Sequence, residues 1–116
     1  MSVETTLYTA LKGLVSNRVY RDIAPADVGT LPRITFQQVG GEAINFLSGE
    51  KPSKKWARIQ INCWDDRRDD VMALSRLVED TLRAITIRPM AAAIAIYEQE
   101  TKLYGSIQDF AVAYDD

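Results

Sequence analysis

A chain of 116 residues fits a single domain over residues 1–116 with one core, because domains usually run to about 100–150 residues. Hydrophobic residues at 47% and charged residues at 26% match an average soluble globular domain, and no stretch approaches the ~18 consecutive apolar residues of a membrane span. With no histidine and one cysteine, the usual zinc ligand sets and the Ser-His-Asp and Cys-His relays are excluded, and a net charge of −2 gives no reason to expect general nucleic-acid binding.

The first part of the chain predicts one helix and two extended segments. Ser2 stands before apolar residues spaced by three and four, which indicates an amphipathic helix over residues 3–15. Glu4, Thr5 and Thr6 interrupt any apolar signal-peptide region, so we expect the chain to stay where it is made. Val19-Tyr20 is a short extended piece. The run Arg33–Val39 mixes β-branched and aromatic residues and predicts a strand that Gly40-Gly41 ends.

Residues 42–55 predict a projecting arm, because the segment is too long for a tight hairpin and polar enough to extend into solvent. Phe46 and Leu47 are its notable apolar residues. Positive charge is concentrated towards its end, at Lys51, Lys54, Lys55 and the following Arg58. Two interpretations are favoured over a third, a contact with nucleic acid. The segment is either a surface loop that tucks its two apolar side chains, or an arm that docks on a neighbouring copy or another protein, with these side chains as anchors and the lysines giving charge complementarity.

A regular alternation over residues 56–64 predicts a strand with two different sides. The apolar side faces the core and consists of Ala57, Ile59, Ile61 and Cys63. The other side consists of Trp56, Arg58, Gln60, Asn62 and Trp64. Tryptophan is enriched at interface hot spots, so we expect a subunit or partner interface through Trp56, Arg58, Gln60 and Trp64. The alternative is that the two indole rings fold over the sheet edge of their own chain.

Residues 65–114 predict a helix followed by a β-hairpin. A second amphipathic helix covers about residues 67–85, after the charged run 65–70. The aspartates of that run favour helix capping over metal binding, since the interleaved arginines neutralise their field. Strands over residues 91–99 and 105–114 follow, joined by a turn over residues 100–105. The small apolar run 91–96 indicates a strand packed closely beneath a helix.

This order of elements predicts an α+β fold, an antiparallel sheet of four to five strands with two helices packed on one face. The links of hairpin length would join neighbouring strands, and each helix has one apolar stripe to bury. The second face of the sheet would then be left uncovered. We therefore expect another copy or another protein to cover that face.

Three segments of the chain form a further pattern. They are Asn17-Arg18-Val19-Tyr20, Leu31-Pro32-Arg33-Ile34-Thr35-Phe36-Gln37 and Ala57-Arg58-Ile59-Gln60-Ile61-Asn62-Cys63-Trp64. Their order, followed by a helix and by a terminal hairpin with the turn Glu100–Tyr104, resembles the tail-completion, or tail-terminator, proteins of tailed bacteriophages and prophages. The resemblance covers nearly the whole chain.

This resemblance implies a ring, commonly of six subunits, that caps the growing tail tube, halts its polymerisation and offers a surface to the head. It implies no catalytic residue, no metal and no cofactor. The implied partners are other copies of the chain in a hexamer, the tail-tube protein and the head-tail connector protein, without a membrane. The implied location is the virion tail or neck, after assembly in the cytoplasm of the bacterial host. The sheet face, the sheet edges and residues 42–55 would contact neighbours.

Two alternatives remain at this point. One is a neighbouring neck protein that joins head to tail. The other is a monomeric ligand-binding or regulatory α+β domain, which predicts a concave pocket near Trp56 and Trp64. An enzyme ranks below both, because no acid, base and nucleophile constellation can be assembled from these residues.

Overall fold

The computed structural model describes residues 2–24, 29–42 and 54–115. Within these residues the fold is α+β, with two α-helices and one six-stranded sheet. The elements in chain order are α1 (Val3–Leu11), β1 (Val19–Arg21), β2 (Arg33–Glu42), β3 (Lys54–Asp65), α2 (Arg68–Arg83), β4 (Arg88–Pro89), β5 (Ile94–Glu98) and β6 (Leu103–Asp115).

Helix α1 begins as the sequence predicts and ends earlier. The Ser2 side chain caps it by accepting a hydrogen bond from the backbone N–H of Thr5, which satisfies one of the donors that a helix start leaves free. Leu7 and Leu11 form its buried stripe. The α-helix gives way to a 3₁₀ turn over Lys12–Leu14, so the regular helix is shorter than the predicted residues 3–15.

The sheet is mixed, where a purely antiparallel sheet of four to five strands was predicted. Its strand order is β1-β2-β3-β6-β4, with β5 also paired to β6. The β2–β3, β3–β6, β4–β6 and β5–β6 pairs are antiparallel, but β1 runs parallel to β2. A parallel pair needs a connection that returns to the same end of the sheet, and residues 22–32 supply it. The three-residue β1 carries no pattern that could have revealed this pairing.

The glycine pair lies inside β2 and does not end it, so the predicted end of this strand was wrong. The ladder between β2 and β3 shifts register between Gln38 and Gly40, which marks a β-bulge. Gly40 has a φ of 147°, and a Cβ on Gly41 would collide with the carbonyl oxygen of Trp56. These glycines therefore permit a bulge and a close backbone approach within a continuing strand.

The ends of the predicted arm belong to strands. Glu42 pairs with Trp56, and the backbone of Lys54 and Lys55 pairs with β6. The predicted residues Phe46, Leu47 and Lys51 lie in 43–53, outside the described residues. The same holds for the side chains of Lys54 and Lys55.

One apolar cluster contains buried residues from both helices and from the sheet. Helix α2 contributes Val71, Leu74, Val78 and Leu82, in the predicted amphipathic spacing. The sheet contributes both the predicted apolar side of β3 and residues of its neighbours, namely Ile34, Phe36, Ala57, Ile59, Ile61, Cys63, Phe110 and Val112. Burying each large apolar side chain contributes about 1.5–3 kcal/mol, so this cluster is the main source of stability.

The aspartates of residues 65–70 were expected to cap the start of α2, but none of them occupies the N-cap position. Arg67 occupies the N-cap position, without a side-chain capping hydrogen bond. The Asp65 carboxylate instead accepts a hydrogen bond from the backbone N–H of Asp66. The aspartates at 69 and 70 lie in the first helical turn, where negative charge complements the helix dipole.

The terminal hairpin has a shorter turn than predicted. Strand β5 ends at Glu98 and β6 begins at Leu103, so Gly105 belongs to a strand and not to the turn. Residues 91–96 were expected to pack beneath a helix, but the Ile94 side chain is 63% exposed. Its position explains this, since β5 lies at an edge of the sheet and pairs only with β6 among the described strands.

Candidate assembly surface

The sheet face opposite the core cluster is the candidate site, and we call it the open face. On β3 it carries Arg58, Gln60, Asn62 and Trp64, and directly opposite on β6 it carries Ala111, Asp109, Ile107 and Gly105. Directly opposed residues of an antiparallel pair share a face, so these side chains form one surface. Arg58 is exposed, and Gln60, Asn62 and Trp64 are half-buried. The predicted interface residues of β3 therefore lie together, and their role at an interface stays a prediction.

An ion pair crosses the open face between two of these strands. The Arg58 guanidinium lies 2.7 Å (Nε) and 2.6 Å (Nη2) from Oδ2 of Asp109. The carboxylate is mostly covered, with 15% of its side chain exposed, while the arginine side chain is 52% exposed. Arg58 therefore already has a partner in its own chain, and any contact with a neighbour would meet this pair rather than an isolated cation.

Trp64 is fixed by its own chain at one end of the open face. Its indole N–H donates a hydrogen bond of 3.2 Å to the Thr35 hydroxyl on β2. A Cβ on Gly105 would lie 2.7 Å from Cε3 and Cζ3 of the indole, so the ring lies directly against this glycine. The tryptophans were predicted either to form an interface or to fold against their own chain. The contacts of Trp64 fit the second interpretation.

A cleft of about 560 Å³ adjoins Trp64. Its walls combine carboxylates, hydroxyls and apolar groups, including Asp22, Ile23, Arg33, Thr35, Asn62, Glu98 and Leu103. Arg18 supports the nearby chain, because its guanidinium donates hydrogen bonds to the carbonyl oxygens of Pro32 (2.8 Å) and Leu31 (3.1 Å). These hydrogen bonds connect the segment 17–20 to the segment 31–37, the first two segments on which the family resemblance rests. Sequence reasoning gave Arg18 no role, since nothing in the sequence signals a contact to carbonyls 13 and 14 residues away.

A second, more apolar groove of about 410 Å³ lies beside Trp56. We call it the Trp56 groove. Its exposed apolar side chains are Val39 (39%), Trp56 (45%) and Met90 (53%). Small residues also line it, namely Gly40, Gly41, Ala57 and Ala111. Trp56 was predicted as an interface residue, whereas Val39 and Met90 were missed because they come from separate elements that only the sheet brings together.

A polar link holds β6 against α2. The buried Gln108 amide donates hydrogen bonds of 2.9 Å to Oε1 of Glu79 and of 2.9 Å to the carbonyl oxygen of Ala91. The hydrogen bond from Gln108 lowers the pKa of Glu79, and Arg83 on the next turn of the helix adds to this effect. This link sets the position of the Met90 segment relative to the sheet.

Three carboxylates gather at the start of α2, from Asp65, Asp66 and Asp70, with oxygens within 4.8 Å of one another. Desolvation raises the pKa of Asp65, and its acidic neighbours raise it further. Asp66 and Asp70 are exposed, and clusters of exposed acidic groups are common without a bound ion, so this arrangement assigns no metal site.

The sequence profile of the family described as tail completion protein gp17 matches residues 5–115. The chain belongs to this family. The match spans all three segments of the resemblance and every strand of the sheet, and it confirms the family that the sequence indicated. Membership of this family indicates a structural protein of a phage tail. A search of curated proteins finds no match. Neither described helix combines the length and apolar character needed to cross a bilayer.

Proposed function

We propose that this tail completion protein forms a ring, of six copies, that caps the phage tail tube, ends tail polymerisation and joins the tail to the head connector. The observation that carries the proposal is the open face. This chain is a member of the tail completion family. One side of its β3–β6 ladder contributes to the core. The described residues on the other side of the ladder include exposed and half-buried polar residues. Assembly in the host cytoplasm and a final place in the tail or neck follow from this role.

A ring needs a contact between two different surfaces that closes by rotation. The sheet offers two unlike edges for it, β1 on one side and β5 on the other. Ile94 and Tyr97 of β5 are 63% and 47% exposed. The proposed contact residues are those predicted from the sequence, namely Trp56, Arg58, Gln60, Trp64, Phe46, Leu47, Lys51, Lys54 and Lys55, with the tube and the connector on opposite sides of the ring.

The first test of the proposal is the mass in solution as a function of concentration. A hexamer would have roughly six times the 13.0 kDa of the chain. Gln60→Arg adds a bulky charge to the centre of the open face and should lower the mass towards that of one chain. Arg76→Gln changes an exposed residue of α2 and should leave the mass unchanged. A Gln60→Arg protein with the same mass as the wild type would argue against an interface on the open face.

A neck protein is separated from a terminator by its effect on tube growth. A terminator stops the polymerisation of purified tail-tube protein, whereas a neck protein binds the connector and leaves tube length unchanged. The comparison therefore uses two mixtures, one of this protein with tail-tube protein and one of this protein with the connector protein.

The cleft beside Trp64 favours one other candidate, a ligand-binding domain. Its volume of about 560 Å³ lies in the ~300–1,000 Å³ range of small-molecule sites. Quenching of tryptophan fluorescence by a metabolite, retained in Trp56→Phe, would place a ligand there. No quenching across a metabolite panel would remove this candidate.

A further inference from the structure

Strands β1 and β5 lie at opposite edges of the sheet. Among the described strands, β1 pairs only with β2, and β5 pairs only with β6. An edge strand presents unpaired N–H and C=O groups to any further strand, and native proteins usually protect it with charged residues or proline. Residues 91–97 contain only alanine, isoleucine and tyrosine, so β5 lacks this protection until Glu98. It is an edge that a further strand can cover.

The alternation of hydrogen bonds shows which backbone groups of β5 point outward. The backbone N–H of Ile34 on β2 donates to the carbonyl oxygen of Arg18, so Ile34 faces β1. Successive residues of a strand face opposite neighbours. Followed through the registers of β2, β3 and β6, this alternation makes the backbone of Ile96 face β6. The N–H and C=O groups of Ala95 and Tyr97 therefore point away from the sheet.

Strand β1 has one outward acceptor and one outward donor. The residues that face away from β2 are Val19 and Arg21. The Val19 N–H donates to the carbonyl oxygen of Asn17, and the Arg21 carbonyl oxygen accepts from the N–H of Ile23. The Val19 carbonyl oxygen and the Arg21 N–H have no backbone partner within the part of the chain that the structure describes. These two groups lie on either side of Tyr20.

We infer that β5 of one copy pairs antiparallel with β1 of a neighbouring copy, with Ile96 directly opposite Tyr20. In this register the Tyr97 N–H donates to the outward acceptor of β1, and the Ala95 carbonyl oxygen accepts from its outward donor. The inference rests on the proposed function, since it requires a second copy, and it names the contact that joins one copy of the ring to the next.

The strand directions within one copy support this pairing. Strand β1 is parallel to β2, and the three antiparallel pairs β2–β3, β3–β6 and β6–β5 leave β5 antiparallel to β1. A second copy that continues the sheet in the same orientation therefore brings its β1 antiparallel to β5. Antiparallel pairing is the slightly more stable arrangement.

The heights of the two edges support a ring. The registers place Tyr20 and Ile94 in the same row across the sheet. Tyr20 opposite Ile94 would need the outward backbone of Ala93, which lies outside β5. The register with Ile96 uses only residues of β5, and it shifts the neighbouring copy along the strands by two residues, about 7 Å. Edges at similar heights allow a copy to be added mainly by rotation, as a closed ring requires.

The side chains of β5 favour β1 over a second β5 as the added strand. Ala95 and Tyr97 lie on the side of β5 away from the open face, and both are exposed, Tyr97 by 47%. A second β5 would bring no helix to cover them. Strand β1 is in contact with α1, and Val19 is buried in the same cluster as Leu7 and Leu11 of that helix. The neighbouring β1 would therefore bring its helix to the uncovered side of β5.

Disulfide formation between two variants tests the inference. Directly opposed residues that exchange no hydrogen bonds have Cα atoms about 4.5 Å apart, which suits a disulfide. Tyr20→Cys protein and Ile96→Cys protein are mixed and oxidised, and the expected result is a reducible product of twice the chain mass. Ala95→Cys is the matched control, because its side chain lies on the other side of β5 and should not link to Tyr20→Cys. The native Cys63 is buried, and its pKa is raised to about 12, which keeps it unreactive.

The outcomes separate the inference from the ring itself. A ring-sized mass without the Tyr20–Ile96 product overturns the inference and leaves the ring in place. The linked product without a closed ring supports the inference and contradicts the proposed function. Linkage of Ile96→Cys protein alone would mean that two β5 strands pair about a twofold axis, which overturns the inference. Equal linkage through Ala95→Cys would mean random collision and also overturns it.

Hydrogen exchange of the wild-type protein gives a second measurement that needs no substitution. The Tyr97 amide points to solvent in a single copy, and its exchange should slow at least about tenfold in the assembled protein. The Lys102 amide, in the turn between β5 and β6, is the internal control and should exchange at the same rate in both states. An assembled protein in which the Tyr97 amide exchanges as fast as in the single copy would overturn the inference.

Discussion

The indole ring of Trp64 lies against the backbone of Gly105 on the neighbouring strand. The two residues are directly paired in the β3–β6 ladder, and the absent side chain of the glycine provides the space for the ring. The hydrogen bond from Trp64 to Thr35 then fixes the ring over three adjacent strands. This arrangement orders the end of the open face and one wall of the cleft.

Gly105→Ala should therefore destabilise the protein by about 1–3 kcal/mol, because the new methyl group forces the indole away from Thr35. Chemical denaturation followed by tryptophan fluorescence measures the free energy of unfolding. Gly13→Ala is the matched control, since a Cβ there meets nothing within 4 Å. Equal stability of the two variants would show that the ring is free to move.

Gln108→Leu should lower the free energy of unfolding by about 1–3 kcal/mol at pH 7, because the Glu79 carboxylate and the Ala91 carbonyl lose their hydrogen-bond donor. In the wild type the pKa of Glu79 is lowered, so its contribution is present above the ordinary value of 4.5 and is lost as pH falls through the folded-state pKa. Urea denaturation at pH 7 and pH 3 should show a larger difference between wild type and variant at pH 7. In a Glu79→Gln background the effect of Gln108→Leu should not depend on pH, and a dependence there would contradict the assignment.

Cys63 should make stability fall at high pH. Burial raises the pKa of its thiol to about 12, partly opposed by the neighbouring Ser106 hydroxyl, so the folded state keeps a proton that the unfolded state loses near 9.0. The protonated thiol makes its full contribution to the free energy of unfolding below pH 9, and this contribution is lost as the pH rises towards 12. By pH 10 the loss amounts to about 1.4 kcal/mol. The stability difference between wild type and Cys63→Ala at pH 8 and pH 10 measures it. An unchanged difference would indicate a solvent-accessible thiol.

The Arg58–Asp109 pair should contribute at most about 1 kcal/mol, because the guanidinium is half-exposed and screened by water. A double-mutant cycle with Arg58→Gln and Asp109→Asn gives the coupling energy. This energy should decrease as salt is raised from 0.05 to about 1 M. A coupling that salt leaves unchanged would mean that the pair is more buried than its exposure indicates.

The sequence predicted those parts of the fold that depend on periodic apolar spacing. The alternation of Ala57, Ile59 and Ile61 identified β3 and its core side, and the stripe of α2 from Val71 to Leu82 was equally clear. Both patterns extend over enough residues to exclude the other secondary structure. The family was recognised from the order of such segments.

Features set by single contacts could not be predicted. The three residues of β1 have no pattern that distinguishes parallel from antiparallel pairing, and the glycines at 40, 41 and 105 were assigned to turns because their strand roles depend on neighbouring strands. The same reason applies to the site. Trp56 and Arg58 could be placed on one face from β3 alone, whereas Val39 and Met90 join Trp56 only through the tertiary structure.

The central claim is that this tail completion protein ends a tail tube as a ring. The most direct measurement is negative-stain imaging of polymerising tail-tube protein with the chain added at equimolar amounts. The expected result is shorter tubes that carry a ring at one end, with a central hole as wide as the tube. Tubes of unchanged length with bare ends, together with a protein that remains monomeric at high concentration, would contradict it.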